Sequence, residues 1–454
     1  MKALATPPCD DTPPVSDMVP VTLREKIAYG CGDLSSNLMW GMTASYLLYY
    51  YTDIYRLPLA DVGWILLVAR IFDSICDPLA GYLIDRRGGG IISIFIGKLS
   101  VPFGISAFMC FLPLPFSDTG KVIWACLSYI IFGAVYSGIN TSYGTLGNLM
   151  TTRADERIGL NAFRMMGCYA GQFIIALLTI PAINFLGGGS DPTQQRTGIT
   201  IYVLLLAILG SLLWRMVYRG CIIRNPLPGR RTSLPELLSG LMRNGLWHIS
   251  NAVVFLQFLC IAATSGFAVY YARIVLHGSA TLGGMLLTLA TVCWFIGALL
   301  TPVACRWRGY QHAFVGAVIV QATCEICIGN SVGGTWGIIF TFALFSIVTG
   351  LASPLYYVLL ADAIEHGHIR HGKSMAGMAY ALNTLVSKVS MAIGGFILVW
   401  FLRMGHYTPT GNADNPDIAF WIRMGFVWLP AVALVGQGII LYGLLHKTRD
   451  RSLA

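Results

Sequence analysis

Charge is what this sequence lacks. Only 11% of its 454 residues are Asp, Glu, Lys or Arg, against about 25% in a soluble domain. So few charges cannot cover a water-facing surface, which excludes a soluble globular protein. No apolar stretch with a cleavage site opens the chain; the first ~20 residues are polar and Pro-rich. They are expected to form a disordered cytoplasmic tail, leaving targeting to the first apolar segment. No P-loop motif is present, which argues against ATP as an energy source. No nucleophile–base pair assembles, which argues against an enzyme. The twelve cysteines are scattered, mostly within apolar runs, without zinc-ligand spacing. They read as small packing residues, and neither a metal nor a cofactor is expected. Acids are outnumbered by 30 basic residues to 21, a net charge of +9. The basic residues sit in short loops rather than one patch, which argues against nucleic-acid binding.

Apolar residues fill the space that charge leaves, at 56% of the chain with a mean hydropathy of +0.66. A membrane-spanning helix needs about 20 of them in succession. Such runs lie near 33–54, 58–84, 91–114, 121–148, 157–186, 197–219, 249–276, 280–304, 311–330, 335–361, 374–402 and 418–445. The expected fold is all-α, a polytopic membrane protein of about twelve spanning helices. Lys and Arg concentrate in alternate loops, from Arg24 and Lys26 through Arg86 and Arg87 to Lys447 and Arg451. Those loops are expected to be cytoplasmic, with both termini inside a cell inner (plasma) membrane. The longest internal polar segment, 220–248, divides the spans six and six. The expected units are a tail at 1–22, a six-helix bundle at 23–220, a central loop at 221–248, a second bundle at 249–447 and a tail at 448–454. Two bundles around a central site is the layout of many secondary carriers.

A charged side chain at mid-membrane costs roughly 2.5–3.5 kcal/mol on insertion scales, so each needs a partner or a purpose. Arg70, Asp73 and Asp77 on the second span share one helical face. Two carboxylates a turn apart repel each other, and beside Arg70 they make a cage for a small cation or a shared proton. The plain alternative is an ion network that only locks helices together. Lys388, mid-way along the eleventh span after Thr384, needs a buried acceptor, for which Asp73 and Asp77 are the candidates. The fourth span carries Tyr136, Ser137, Asn140 and Tyr143; the first carries Asn37, Trp40, Tyr46, Tyr49 and Tyr50. Amides, hydroxyls and flat rings suit a sugar, but equally suit interhelical hydrogen bonds and interfacial anchoring. Glu325 and Arg273 fall toward outer helix ends and read as interfacial. Arg164 lies in the inner part of the fifth span. His366, His368 and His371 read as a solvated loop rather than a metal site.

Several long segments in order carry a resemblance. They are Arg24-Glu-Lys-Ile-Ala-Tyr-Gly30 running into Gly32-Asp33, Tyr50-Tyr-Thr-Asp53, Arg70-Ile-Phe-Asp73-Ser-Ile-Cys-Asp77-Pro78, Asn140-Thr-Ser-Tyr143-Gly-Thr-Leu146, Asp155-Glu-Arg157 and Ala361-Asp362-Ala-Ile-Glu365-His-Gly367. From Leu23 to about Lys447 the chain resembles the glycoside-pentoside-hexuronide cation symporters of the major facilitator superfamily. The resemblance implies the major facilitator fold and cation:sugar symport by alternating access. It implies that Asp73 and Asp77 bind the coupling cation, with Ser137 grouped beside them. It implies that Asn37, Tyr136, Asn140 and Arg164 contact the sugar, with Thr384 on the substrate side, and that Lys388 links the two sites. Gly81-x-x-x-Asp85-Arg86 resembles the superfamily's gating motif, where acid and base pair between helices.

Three departures refine this. Acids stand at the positions of Asn37 and Asn140 in the melibiose branch; asparagine keeps the hydrogen bonding but removes two negative charges. With Arg164 and Lys388 kept, and Tyr270-Tyr-Ala-Arg273-Ile-Val-Leu276 similar to the glucuronide carriers, a uronide or other anionic glycoside is expected. Cys76 replaces an amide found in a sodium-using relative, and sulfur is a poor ligand for a hard cation, so the proton is favoured over sodium. The loop after Asp85-Arg86-Arg87 is shortened and Gly-rich, which leaves the strength of the gate open. An uncoupled facilitator or a membrane sensor is the alternative function. The expected partners are a small sugar and the bilayer, with the protein a monomer.

Overall fold

The computed structural model describes residues 20–87, 89–189, 191–225, 233–277, 280–330, 333–371, 375–407 and 416–452. Fourteen α-helices occupy them. The first bundle holds α1 (Leu23–Tyr49), α2 (Leu59–Arg87), α3 (Gly89–Met109), α4 (Asp118–Met150), α5 (Ala154–Gly187) and α6 (Pro192–Gly220). A short α7 (Leu234–Met242) follows. The second bundle holds α8 (Gly245–Tyr270), α9 (Ala280–Arg308), α10 (Tyr310–Gly329), α11 (Gly334–His371) and α12 (Ala376–Met404). Its last span is α13 (Pro416–Arg423) and α14 (Leu429–Ser452), joined by a π-helical turn at Met424–Trp428. Ten of the described helices are long and apolar enough to cross a membrane. With α1 and α2, of 27 and 29 residues, they make twelve spans, the number expected from the sequence.

Helix starts follow ordinary capping chemistry. Thr22 Oγ1 accepts the Glu25 N–H at 3.3 Å, and the Glu25 carboxylate accepts the Thr22 N–H at 2.9 Å. Asn244 caps α8 through the Trp247 N–H and donates its amide to the Ala363 carbonyl at 2.7 Å, tying α8 to α11. Sequence reading left 221–248 as loop, yet α7 forms within it. Its Leu237 and Leu241 bury against Trp247, Met375 and Met378, so tertiary packing supplies what nine residues of helix propensity do not. Residues 226–232 and the tail at 1–19 lie outside the described residues.

Each bundle opens with a helix that ends alike. α1 runs into a π-helical turn at Tyr50–Ile54, and α8 into one at Tyr271–Val275. Each turn is followed by a residue forced into the left-handed region, Arg56 at φ 58° and His277 at φ 50°. Two identical irregularities at matching places mark a structural repeat.

The bundles have separate apolar cores. They meet where α2 packs on α12, and where α5 packs on α9 and α11. At the α2–α12 crossing the backbones touch. A Cβ on Gly81 would stand 2.6 Å from the Gly377 carbonyl oxygen, and one on Gly377 would stand 2.5 Å from that of Gly81. This crossing lies toward the face that carries both chain ends, called here the terminal face. Gly377→Val should weaken the closed arrangement by the 1–3 kcal/mol that overpacking typically costs. Pulsed EPR between labels on α2 and α12 at the terminal face should report a longer distance than in the parent protein. An unchanged distance would show that the contact is not a constraint.

Candidate functional site

The acid pair faces the second bundle. Asp73 and Asp77 stand four residues apart on α2, so both side chains leave the same side of the helix. Lys388 on α12 reaches between them, its Nζ donating to Asp73 Oδ2 at 2.7 Å and to Asp77 Oδ2 at 2.6 Å. Ser137 on α4 donates its Oγ to Asp73 Oδ1 at 3.2 Å. Asp77 is buried and Asp73 half-buried. One ammonium between two carboxylates leaves one negative charge over. That charge is the physical basis for a further cation or proton at this point. The Arg70 side chain, expected beside the pair, lies outside the described residues.

A second ion pair lies within the first bundle. Arg164 on α5 donates its Nε to Asp33 Oδ2 on α1 at 2.7 Å, with both side chains buried. The guanidinium lies over the Tyr357 ring at 4.1 Å and the Tyr143 ring at 5.1 Å. Its Nη1 is buried without a hydrogen-bond partner among the described residues. Asn37 is held from both ends: its amide donates to the Asp33 carbonyl at 2.9 Å and its oxygen accepts from Gln172 at 3.2 Å. Asp33 and Gln172 escaped the sequence reading. A signal existed, since Arg164, Cys168 and Gln172 recur every four residues along one stripe of an apolar helix.

Tyr136 lines a small pocket with Trp40, Thr43, Tyr129 and Phe132, and Asp73 forms its edge. The pocket thus adjoins the acid–lysine cluster. Asn140 is half-buried, and nothing among the described residues hydrogen-bonds its amide. Thr384 sits one turn before Lys388 but spends its hydroxyl on the Tyr380 carbonyl at 3.0 Å. Of the first-span aromatics, Trp40 reaches the pocket. Tyr50 is buried against Tyr55 and Phe111 at the opposite face, and Tyr49 donates to Gln195 at 2.6 Å.

The gating residues depart from the expected acid–base pair. Asp85 meets no basic side chain among the described residues; its two oxygens accept the N–H groups of Gly377 and Met378, each at 2.8 Å. A helix N-terminus supplies unpaired donors and a positive dipole end, so it replaces the base. Arg86 is exposed and lies over the ring of Tyr82 on its own helix. At the terminal face an ion pair between the bundles forms elsewhere: Arg157 on α5 reaches Asp362 at 3.4 Å and Glu365 at 2.7 Å on α11. Tyr310 donates to Asp362 as well. Gly88, in the shortened loop, lies outside the described residues, as do the side chain of His371 and all of Lys373. No group of His, Cys, Asp or Glu among the described residues is arranged to hold a metal. Glu325, read as interfacial, is fully buried inside the second bundle.

The family model described as MFS/sugar transport protein matches residues 28–444. The chain belongs to that family. Among its relatives, the inner membrane symporter YicJ of Escherichia coli (strain K12) is 26% identical over 92% of this chain and 91% of its own length. The isoprimeverose transporter of Lactiplantibacillus pentosus is 27% identical over 96% and 90% respectively. The solved structure of the proton:xylose symporter XylE bound to 6-bromo-6-deoxy-D-glucose superposes with a TM-score of 0.67 at 16% identity, over 92% of this chain and 95% of that one. Membership of a sugar-transport family makes this a multi-pass membrane transporter rather than an enzyme.

Breaking the Asp33–Arg164 pair from one side strands a buried charge, at about 3–5 kcal/mol. Asp33→Asn and Arg164→Gln should each lower the thermal midpoint of the purified protein, and the double variant by clearly less than the two together. Additive losses would show that the pair is not coupled.

Proposed function

We propose that the protein is a proton:sugar symporter working by alternating access, with Asp73 and Asp77 as the proton-binding pair. One observation carries the reading: Lys388, from the second bundle, is shared by two carboxylates of the first. The group that neutralises the pair is therefore also a tie between the bundles, so proton binding and bundle movement act on one contact. Protonating either acid removes one of the two negative charges that hold Lys388 and restores charge balance at the cluster.

The sugar is assigned to the region of the pocket beside Tyr136 and Trp40; Asn37, Asn140 and Arg164, which do not line that pocket, are assigned to the substrate on the family resemblance. We assign an anionic glycoside such as a uronide. The support is the partnerless Arg164 Nη1, together with a Lys388 ammonium that gains a free donor once an acid is protonated. Before protonation both cations are occupied by Asp33, Asp73 and Asp77, which favours the order proton first, anion second. Cys76 on the same helix offers no hard-oxygen ligand, which supports the proton over sodium.

The terminal face is assigned to the cytoplasm from its Lys and Arg content. The hydrogen bonds between bundles described above lie at the acid pair or between it and that face, which supports an outward-facing state.

A pH difference of one unit is worth about 1.4 kcal/mol per proton, or about tenfold accumulation with one proton per sugar. Proteoliposomes loaded by such a gradient should concentrate a uronide in this way, and a protonophore should abolish the effect. Asp73→Asn or Asp77→Asn should reduce uptake to equilibration. Accumulation surviving in both variants, or requiring sodium and resisting a protonophore, would overturn the proposal.

A further inference from the structure

The second bundle contains buried polar side chains that the acid–lysine cluster does not use. Glu325 on α10 is 0% exposed, and neither oxygen of its carboxyl has a hydrogen-bond partner among the described residues. Gln321, one turn earlier, donates to Thr349 Oγ1 on α11 at 2.9 Å while its oxygen is left without a partner. Gln257 on α8 and Gln437 on α14 are both 0% exposed, and neither the nitrogen nor the oxygen of either amide is hydrogen-bonded. Tyr356 on α11 faces Gln437 and is the partner within its reach. Glu325 lies one turn before the end of α10, whose last residue is Gly329, yet it is sealed from solvent because α10 packs on both α11 and α14. Buried polar groups are nearly always satisfied, so the Glu325 carboxyl, with neither oxygen bonded to a described residue, needs a proton or a partner of its own.

The charge around Glu325 limits what that ligand is. The titratable groups facing it are neutral ones, Cys260 on α8 and Tyr271 in the turn after it, with Cys324 adjacent on α10. None of the ion pairs among the described residues includes Glu325, and no basic residue from α11 or α14 bears on it. An isolated buried carboxylate is not tolerated in such surroundings, whereas a carboxylic acid is. From this geometry we infer that Glu325 is a second proton-binding site, in the bundle that lacks the acid pair, which holds its proton as a neutral acid in this closed-terminal-face state, with the Gln321 amide one turn away on the same helix. The site is separate from Asp73 and Asp77, and it stands whether or not those two couple transport.

Infrared difference spectroscopy on the full-length protein in liposomes, comparing variants at neutral pH, tests this. The parent protein should show a carboxylic-acid C=O stretch that shifts in deuterium oxide. Glu325→Gln should remove one such band, and Glu325→Asp should move it without removing it. Asp73→Asn and Asp77→Asn should leave that band in place, whatever they do to uptake. Glu325→Gln, which keeps shape and hydrogen-bonding capacity, also serves as the folding control through its thermal midpoint. A band unchanged in correctly folded Glu325→Gln would overturn the proposal. So would a thermal shift on adding sodium that Glu325→Gln abolishes, since that would make Glu325 a cation ligand.

Discussion

The contact of Lys388 with Asp73 and Asp77 governs the rest of the structure. It places an ion triad where two six-helix bundles meet, in a setting where each charge would be costly alone. Neither side can be removed without stranding the other. Nearby features fit this constraint: Ser137 turns toward Asp73, and the glycines of α2 and α12 let two backbones close to van der Waals contact. Asp85 then fixes the start of α12 through backbone N–H groups rather than through a flexible basic side chain. α12 is thus held at its N-terminus by one residue of α2 and mid-way by two more.

The bundles share architecture but divide the chemistry. Their first helices end in the same π-helical turn and left-handed residue. Yet the first bundle holds Asp33 and the Asp73–Asp77 pair, while the second contributes Lys388 to that pair, Asp362 and Glu365 to Arg157, and the buried Glu325. A moving boundary between the two halves can therefore change which groups see water while each apolar core stays packed.

Much of this was legible in the sequence. The acids on α2 and Lys388 stood out because charge is rare in an apolar helix and demands a partner. Their pairing followed from the lack of other acceptors. The carry-over of Asn37, Tyr136 and Arg164 rested on resemblance, and what the structure adds is Asp33, whose position near the polar start of α1 hid its role as the partner of Arg164. Asp85 was expected to pair with a base between helices; its partner is instead a helix end, which leaves no mark in side-chain composition. Arg157 with Asp362 and Glu365 was visible only as separate motifs, since a contact across the bundles has no signature in spacing. Glu325 was misjudged because distance from a helix end says nothing of whether a side chain faces lipid or the bundle interior. α7 was missed because its stability comes from Met375 and Met378, far away in the chain.

The most direct measurement is proton movement driven by sugar. Proteoliposomes containing the protein, in sodium-free buffer with no initial pH or electrical gradient, would be given an inward gradient of a uronide while a trapped dye reports internal pH. If Lys388 is released by protonation of Asp73 or Asp77, the interior should acidify as sugar enters. Sugar entry with no change of internal pH, or no entry until sodium is supplied, would contradict it.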